Sequence, residues 1–291
     1  MKRILRTTIS IIAGILLAYA VLFSLAGTVV LWWTATTVLR PIREVRRLAE
    51  HNPKESAYMA AQRRQLAREG ENDSLAHEFV PLDSIALNLR NAVVASEDDG
   101  FFVHPGFDLN AILSAYEYNK VKGRIARGGS TISQQVTKNL FLSDSRTYAR
   151  KFRELFYTIL LEGFLTKERI LELYLNYAQW GDRIFGCEAA AKHYFGSSCR
   201  YLSVWEATRL AAVLAKPETM SPHYTKSSFL WKRLRVIADN MYRKGKLGDS
   251  LYTVLTGSPP PRPDSVDVSE TEPDEGEEEG EDPEGEPAED P

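Results

Sequence analysis

Three carboxylates stand in a row at Glu97, Asp98 and Asp99, followed by Phe101, Phe102, His104 and Gly106. The apolar residues Ile85, Leu87, Leu89, Val93 and Val94 lead into them, which predicts a helix ending among the acids. The C-terminus of a helix is the negative end of its macrodipole, so carboxylates there are crowded by like charge. Such crowding raises the proton affinity of a carboxyl group and suits it to general acid–base work. Taken alone, the stretch reads more readily as an acidic surface loop.

Three further segments carry chemistry-bearing residues. In the first, Gly128 and Gly129 precede Ser130 and Thr131, and then a polar helix with Gln134, Gln135, Lys138 and Asn139. Glycines before a helix N-terminus can expose backbone N–H groups to an anion, although the Gly-Lys-Ser/Thr of a Walker loop is missing. In the second, Arg150, Lys151 and Glu154 share the polar half of a helix, where two cations beside one carboxylate could grip a phosphate or simply form a surface ion-pair cluster. The last runs from Lys167 to Gly196 and includes Tyr174-Leu175-Asn176, Trp180-Gly181 and three successive alanines, Ala189 to Ala191, which point to close helix packing.

The elements that must position these residues are helices. Helical periodicity is expected over Asp108–Lys120, Arg146–Phe164, Lys167–Ala178 begun by Thr166, Ser203–Ala215 with a Ser203/Glu206 capping box, and Ser228–Lys244 closed by Gly245. Tyr148, Phe152, Leu155, Phe156 and Ile159 form one apolar stripe on the second of these. The body is therefore expected to be mainly α.

Charge is unevenly spread over the 291 residues. Residues 257–291 hold 15 Asp/Glu and one Arg, a net of −14, which leaves +11 on the remainder of a chain whose total is −3. A basic body points to an anionic partner: lipid headgroups, a phosphorylated substrate or nucleic acid. The acidic, Pro- and Gly-rich tail lacks the apolar content to offset ordering entropy and is expected to be disordered. Two cysteines, Cys187 and Cys199, exclude a disulfide framework but leave one pair open. At the other end, Lys2, Arg3 and Arg6 precede an uncharged apolar run from Thr7 to Leu39, long enough to cross a bilayer, with Trp32 and Trp33 near its far end. The run continues well past the signal-like Ala18-Tyr19-Ala20, favouring an uncleaved anchor. Arg40, Arg43, Arg46 and Arg47 lie just beyond it, and counting basic residues leans towards a cytoplasmic body. The expected organisation is a stub and transmembrane anchor over 1–39, a juxtamembrane connector over 40–77, a catalytic domain over 78–256, and the tail over 257–291.

Glu97 to Gly106, Gly128 to Asn139, Arg150 to Glu162 and Lys167 to Gly196, in that order, resemble the signature motifs of the family 51 peptidoglycan glycosyltransferases. No Ser-x-x-Lys occurs and the chain ends soon after the domain, so the resemblance is to the monofunctional transglycosylases rather than to the bifunctional penicillin-binding proteins. Ser133 stands where the family has threonine and Thr158 where it has alanine. Arg183 occupies a common glycine position, which points to an altered loop, and Lys216-Pro217 replaces Asn-Pro.

The resemblance implies a lysozyme-like fold and polymerisation of lipid II into β-1,4 glycan strands, with inversion and release of undecaprenyl diphosphate. It implies Glu97 as general base and Glu154 as the second catalytic glutamate, at the diphosphate or its metal ion. Lys138, Arg150 and Lys151 would stabilise the leaving diphosphate. Ser130, Gln134, Gln135 and Asn139 would hold donor or acceptor, while Asp98 and His104 complete the site by shaping it. Whether a divalent cation takes part is left open; Mg or Mn at Glu154 is the form it would take. The implied partners are lipid II and the growing strand, with cell-wall synthesis or division proteins as further candidates and no nucleic acid. A single-pass protein of the cytoplasmic membrane is implied, its catalytic domain on the extracytoplasmic side, against the basic-residue count. A muramidase-like hydrolase, or a non-catalytic scaffold, is the alternative class.

Overall fold

The structure is a computed structural model that describes residues 2–124, 128–142 and 148–261. The expected disorder of the acidic tail concerns residues that, beyond 261, lie outside the described ones, as does Arg146 at the start of one expected helix.

Two units divide the chain, Met1–Asn52 and Pro53–Pro291. The first begins with α1 (Lys2–Thr34), continues through a π-helical stretch over Ala35–Leu39, and ends in α2 (Arg40–Arg47). Its most apolar window has a mean hydropathy of 2.3 and is not covered by protein, consistent with a single-pass membrane anchor. The hydroxyls of Thr34, Thr36 and Thr37 donate back to the carbonyls of Val30, Trp32 and Trp33, so no polar group of these side chains faces lipid unpaired.

The second unit is mainly helical. α3 (Ala57–Glu69) is capped by Ser56, and β1 (Ala76–His77) and a short 3-10 turn (Leu82–Ser84) lead to α4 (Leu87–Glu97). α5 (Leu109–Lys122) is capped by Asp108, and α6 (Ile132–Phe141) by a Thr131/Gln134 capping box. Next come α7 (Tyr148–Phe164), α8 (Lys167–Tyr177) capped by Thr166, β2 (Gln179–Gly181), β3 (Ile184–Phe185) and α9 (Cys187–Phe195). A 3-10 turn over Cys199–Tyr201 precedes α10 (Val204–Val213) with its Ser203/Glu206 capping box. α11 (Ser228–Arg243) and α12 (Asp249–Thr256) close the unit.

Two packed groups of helices frame the site. α4 lies against α10 and α11, burying Leu89, Ala92 and Val93 with Leu210, Ala211 and Ile237. α6 lies against α3, α7 and α8, burying Ile132, Val136 and Leu140 with Met59, Leu161 and Leu173. Each fully buried Leu or Ile contributes about 1.5–3 kcal/mol. The fully buried Asn176 on α8 ties the chain before α4 to this group: its Oδ1 accepts from Val80 N at 2.8 Å and its Nδ2 donates to Val80 O at 2.9 Å.

A small sheet with β3 in the centre, parallel to β1 and antiparallel to β2, braces the α8–α9 connection. Asp182 and Arg183 make its hairpin turn. Arg183 adopts φ 57°, the left-handed region where the resemblance places glycine. Arg183 pairs with Glu71 and donates to Asn72 O at 3.1 Å, and these contacts offset the local strain.

On α7 the apolar stripe faces outward. Phe152 is 71% and Ile159 55% exposed, whereas Glu154 and Thr158 point inward. Thr158 Oγ1 donates to Glu154 O at 2.8 Å and meets Thr137 of α6 at 3.3 Å, so a polar seam joins α6 to α7. Leu109, Leu113 and Tyr116 of α5 are likewise exposed.

Candidate active site

Glu97 is the last residue of α4, where the apolar lead-in predicted a helix end. Its Oε2 accepts from Gln135 Nε2 at 3.1 Å. Its Oε1 accepts from Ser96 Oγ at 3.0 Å and from Arg233 Nη2 at 3.2 Å. The Gln135 amide is itself oriented by the Tyr174 hydroxyl, which donates to Gln135 Oε1 at 3.1 Å. Burial first, and the Glu97 charge second, push the Tyr174 hydroxyl well above its ordinary range, so it remains a donor. Glu97 lines a cavity of about 330 Å³ together with Asp98, Asp108, Ser130 and Thr131. A carboxylate oxygen can accept more than one hydrogen bond. With a single donor among the described residues, Oε2 therefore retains acceptor capacity at the cavity.

Asp98 and His104 form a second, tighter cluster. His104 Nε2 lies 2.8 and 3.0 Å from the two Asp98 oxygens, and its Nδ1 accepts from Gly106 N at 3.1 Å. These partners assign the proton of neutral His104 to Nε2 and commit both ring nitrogens. Asp98 Oδ2 also accepts from Ile132 N at 2.9 Å, at the first residue of α6, where the helix dipole favours an anion. Burial raises the Asp98 carboxyl above its ordinary value, opposed by the His104 and Ile132 hydrogen bonds and by the charge of Lys167.

A third cluster lies under the turn after α4. The Ser133 hydroxyl donates to Glu162 Oε1, which also accepts from Lys167 Nζ at 2.8 Å. The same ammonium donates to His104 O at 2.8 Å and sits 4.6 Å from the centre of the Phe101 ring. Each of the four sequence segments thus contributes one member: His104, Ser133, Glu162 and Lys167.

On α7, Glu154 is buried and paired with Lys151 and, at 3.3 Å, with Arg150. Among the described residues no three His, Cys, Asp or Glu side chains converge as a ligand set. A lone carboxylate already engaged by two cations does not fit a resident divalent ion. Of the remaining expected site residues, Ser130 and Lys138 are exposed and Asn139 is half-buried on α6. Gln134 is buried, and its Oε1 accepts from Thr131 N at 3.0 Å, so its carbonyl serves the capping box. Asp99, which lines the same cavity, pairs with Lys244 at 3.5 Å.

Residues 62–242, more than half of the chain, match the transglycosylase family. The chain belongs to that family. Among similar proteins is a biosynthetic peptidoglycan transglycosylase of Paraburkholderia xenovorans (strain LB400), 40% identical over 220 residues, 76% of this chain and 91% of the relative. Those of Burkholderia orbicola (strain MC0-3) and Methylobacillus flagellatus are 44% and 41% identical, over 65% and 73% of this chain and 77% and 86% of theirs. The family's domain is lysozyme-like, in keeping with the mainly α architecture.

In this transglycosylase the matched span contains every residue described above except Lys244, including two to which the sequence reading assigned no role at the site. Arg233 and Tyr174 approach Glu97 and Gln135 from α11 and α8. Arg233 did leave a trace: it interrupts the apolar face formed by Phe229, Leu230, Leu234, Ile237 and Met241. A buried cation on an apolar stripe needs an anionic partner.

Proposed function

We propose that the chain is a peptidoglycan glycosyltransferase that polymerises lipid II into β-1,4 glycan strands. The observation that carries this reading is Glu97 Oε2, held by Gln135 with acceptor capacity left at the cavity. The acceptor sugar places its 4-hydroxyl there and gives Oε2 its proton. The freed oxygen attacks C1 of the donor from the face opposite the diphosphate. The C1–O bond to the diphosphate breaks with its electron pair, undecaprenyl diphosphate departs, and the α configuration becomes β.

Lys138 sits one helical turn beyond Gln135, and with Arg150 and Lys151 it meets the charge that develops on the diphosphate. Glu154 fixes the two α7 cations in place through its ion pairs. Ser130, Gln134, Gln135 and Asn139 hold the sugars, while Asp98 and His104 shape the wall behind them. The Oε1 contacts of Arg233 and Ser96 leave Oε2 as the proton acceptor.

The catalytic segment is 78–256, tethered through 40–77 to an anchor over 1–39, with 257–291 as a tail. A lipid-borne substrate suits such an anchor. The outward apolar faces of α5 and α7 suit contact with the same membrane. The catalytic segment lies on the extracytoplasmic side, because lipid II is polymerised there; a fluorescent protein fused to the C-terminus of the chain in cells is expected to stay dark, and fluorescence would reverse the placement.

Glu97→Gln keeps the shape and removes the base. Polymerisation of lipid II by the purified variant is expected to fall by about 10²–10⁴-fold. Polymerisation at the parent rate would overturn the mechanism. Finished cell wall, offered in parallel, is expected to remain undigested.

A further inference from the structure

Cys187 and Cys199 take no part in the site described above, and both side chains are 0% exposed. Cys187 is the first residue of α9, and Cys199 opens the 3-10 turn packed against that helix. Glu188, the residue after Cys187, draws the turn in. Its Oε2 accepts from Cys199 N at 2.8 Å and from Ser198 Oγ at 2.9 Å. These bonds hold the turn that Cys199 opens against the first turn of α9, where Cys187 lies, and the Cys199 thiol has Cys187 as its neighbour.

The segment that Cys199 opens also supports the helix that ends in Glu97. α4 has no side-chain cap at its start. Instead, Ala86 N donates to Cys199 O at 3.1 Å, and Asn88 Nδ2 donates to Leu202 O at 3.2 Å. The 3-10 turn therefore supplies part of the missing cap for α4, and Glu188 fastens that turn to α9.

We propose that Cys187 and Cys199 form an intrachain disulfide that staples the start of α9 to the turn holding α4. The bond forms by exchange with a disulfide donor, either a protein disulfide or a small-molecule one. One cysteine thiolate attacks the donor, releasing the first donor thiol and leaving a mixed disulfide. The second thiolate attacks the cysteine sulfur of that mixed disulfide, forming the Cys187–Cys199 bond and releasing the second donor thiol. The pair gives up two electrons and two protons, and the donor disulfide takes them up as two thiols. In the folded, reduced protein both thiols are buried, and the hydrogen bond that the Cys199 thiol donates to Cys187, with burial second, pushes that thiol far up, so exchange belongs to the folding chain, before α9 docks. Formation in the cell rests on the extracytoplasmic placement proposed above, since that is where such donors operate.

The test uses the full chain in detergent. Reduced, denatured protein is refolded with and without a mixture of oxidised and reduced glutathione, then denatured, treated with N-ethylmaleimide and weighed intact. Protein refolded with glutathione is expected to be lighter by two hydrogens and to take up no maleimide. Its melting temperature is expected to exceed that of the reduced protein by about 5–10 °C. The Cys187→Ala/Cys199→Ala double variant is expected to melt with the reduced protein and to ignore reductant. Two free thiols after refolding with glutathione, or glutathione adducts or cross-linked dimers in place of the internal bond, would overturn the proposal. The same mass measurement on protein alkylated in intact cells tests the placement separately. A bond that forms with glutathione but is missing in cells counts against the extracytoplasmic placement and leaves the pairing intact.

Discussion

Arg233 Nη2 lies 3.2 Å from Glu97 Oε1, across 136 residues of sequence, and both side chains are largely buried. The same nitrogen donates to Ser96 Oγ at 2.7 Å and to Ser96 O at 3.3 Å. One guanidinium therefore holds both the end of α4 and the carboxylate attached to it. Arg233→Met is expected to lower kcat for lipid II polymerisation by about 10–100-fold with a smaller change in KM, because a misdirected base loses more in the transition state than in binding. Arg233→Lys should recover part of the loss. Steady-state kinetics on the three proteins decides; a change confined to KM would place Arg233 in substrate binding instead.

Asp98 gives the fold a pH dependence of definite sign. Its folded carboxyl is raised above the ordinary aspartate value of 3.8, chiefly by burial. Between the unfolded and folded values the native state binds more protons than the unfolded one. The contribution of this group to stability is therefore full below the unfolded value and is lost as the pH rises through the folded one. Asp98→Asn removes that titration. Relative to the parent, the variant should gain stability as the pH is raised from about 4 to about 7. Urea unfolding at a series of pH values measures the difference, and a flat difference would contradict the assignment.

Gly106 is constrained twice over. Its φ is 93°, and a Cβ added there would stand 2.7 Å from Glu162 Cγ and 3.2 Å from Thr158 Cγ2. Glu162 has little freedom to yield, because Ser133 and Lys167 both bind it. Gly106→Ala is expected to cost about 2–4 kcal/mol in chemical unfolding. A cost below about 0.5 kcal/mol, the range of a neutral surface change, would mean that the turn relaxes freely.

Glu154 is predicted to act through its cations. Glu154→Gln removes the charge that pairs with Arg150 and Lys151, so the two cations should lose their fixed geometry while remaining present. Polymerisation is expected to fall by about tenfold or more, and added Mg or Mn should not restore it, given the donor set around this residue. Rescue by either metal would instead assign Glu154 as a ligand.

Legibility in the sequence followed the range of the interactions. The helix ends were readable because caps are local: Thr166, Ser203 and Asp108 each bond a backbone N–H three residues on. The position of Glu97 at a helix terminus was readable from the apolar residues that lead into it. The direction of α7 was not. Its apolar stripe marks one face correctly, yet the inward face carries Glu154 and Thr158 beside Leu161, and Thr137 of α6 offers Thr158 a hydroxyl partner that no pattern within α7 reveals. Gln134 shows the same limit in another form: its type fits sugar binding, but its carbonyl belongs to a helix cap. Arg233 and Tyr174 lie far from Glu97 in sequence, and only the packing of α11 and α8 brings them to this carboxylate and its Gln135 partner.

The cluster of His104, Ser133, Glu162 and Lys167 has a consequence for how such sequences diverge. Glu162 Oε1 serves Ser133 and Lys167 together, and Lys167 in turn holds the His104 carbonyl. A neutral residue at 162 would leave a half-buried ammonium unpaired, and an apolar residue at 167 would strand the carboxylate. Neither change is tolerable alone, so lineages that depart from this arrangement should do so by paired replacement. Among aligned relatives, positions 162 and 167 are expected to covary as a charge pair, with position 133 restricted to hydroxyl residues wherever the pair is kept.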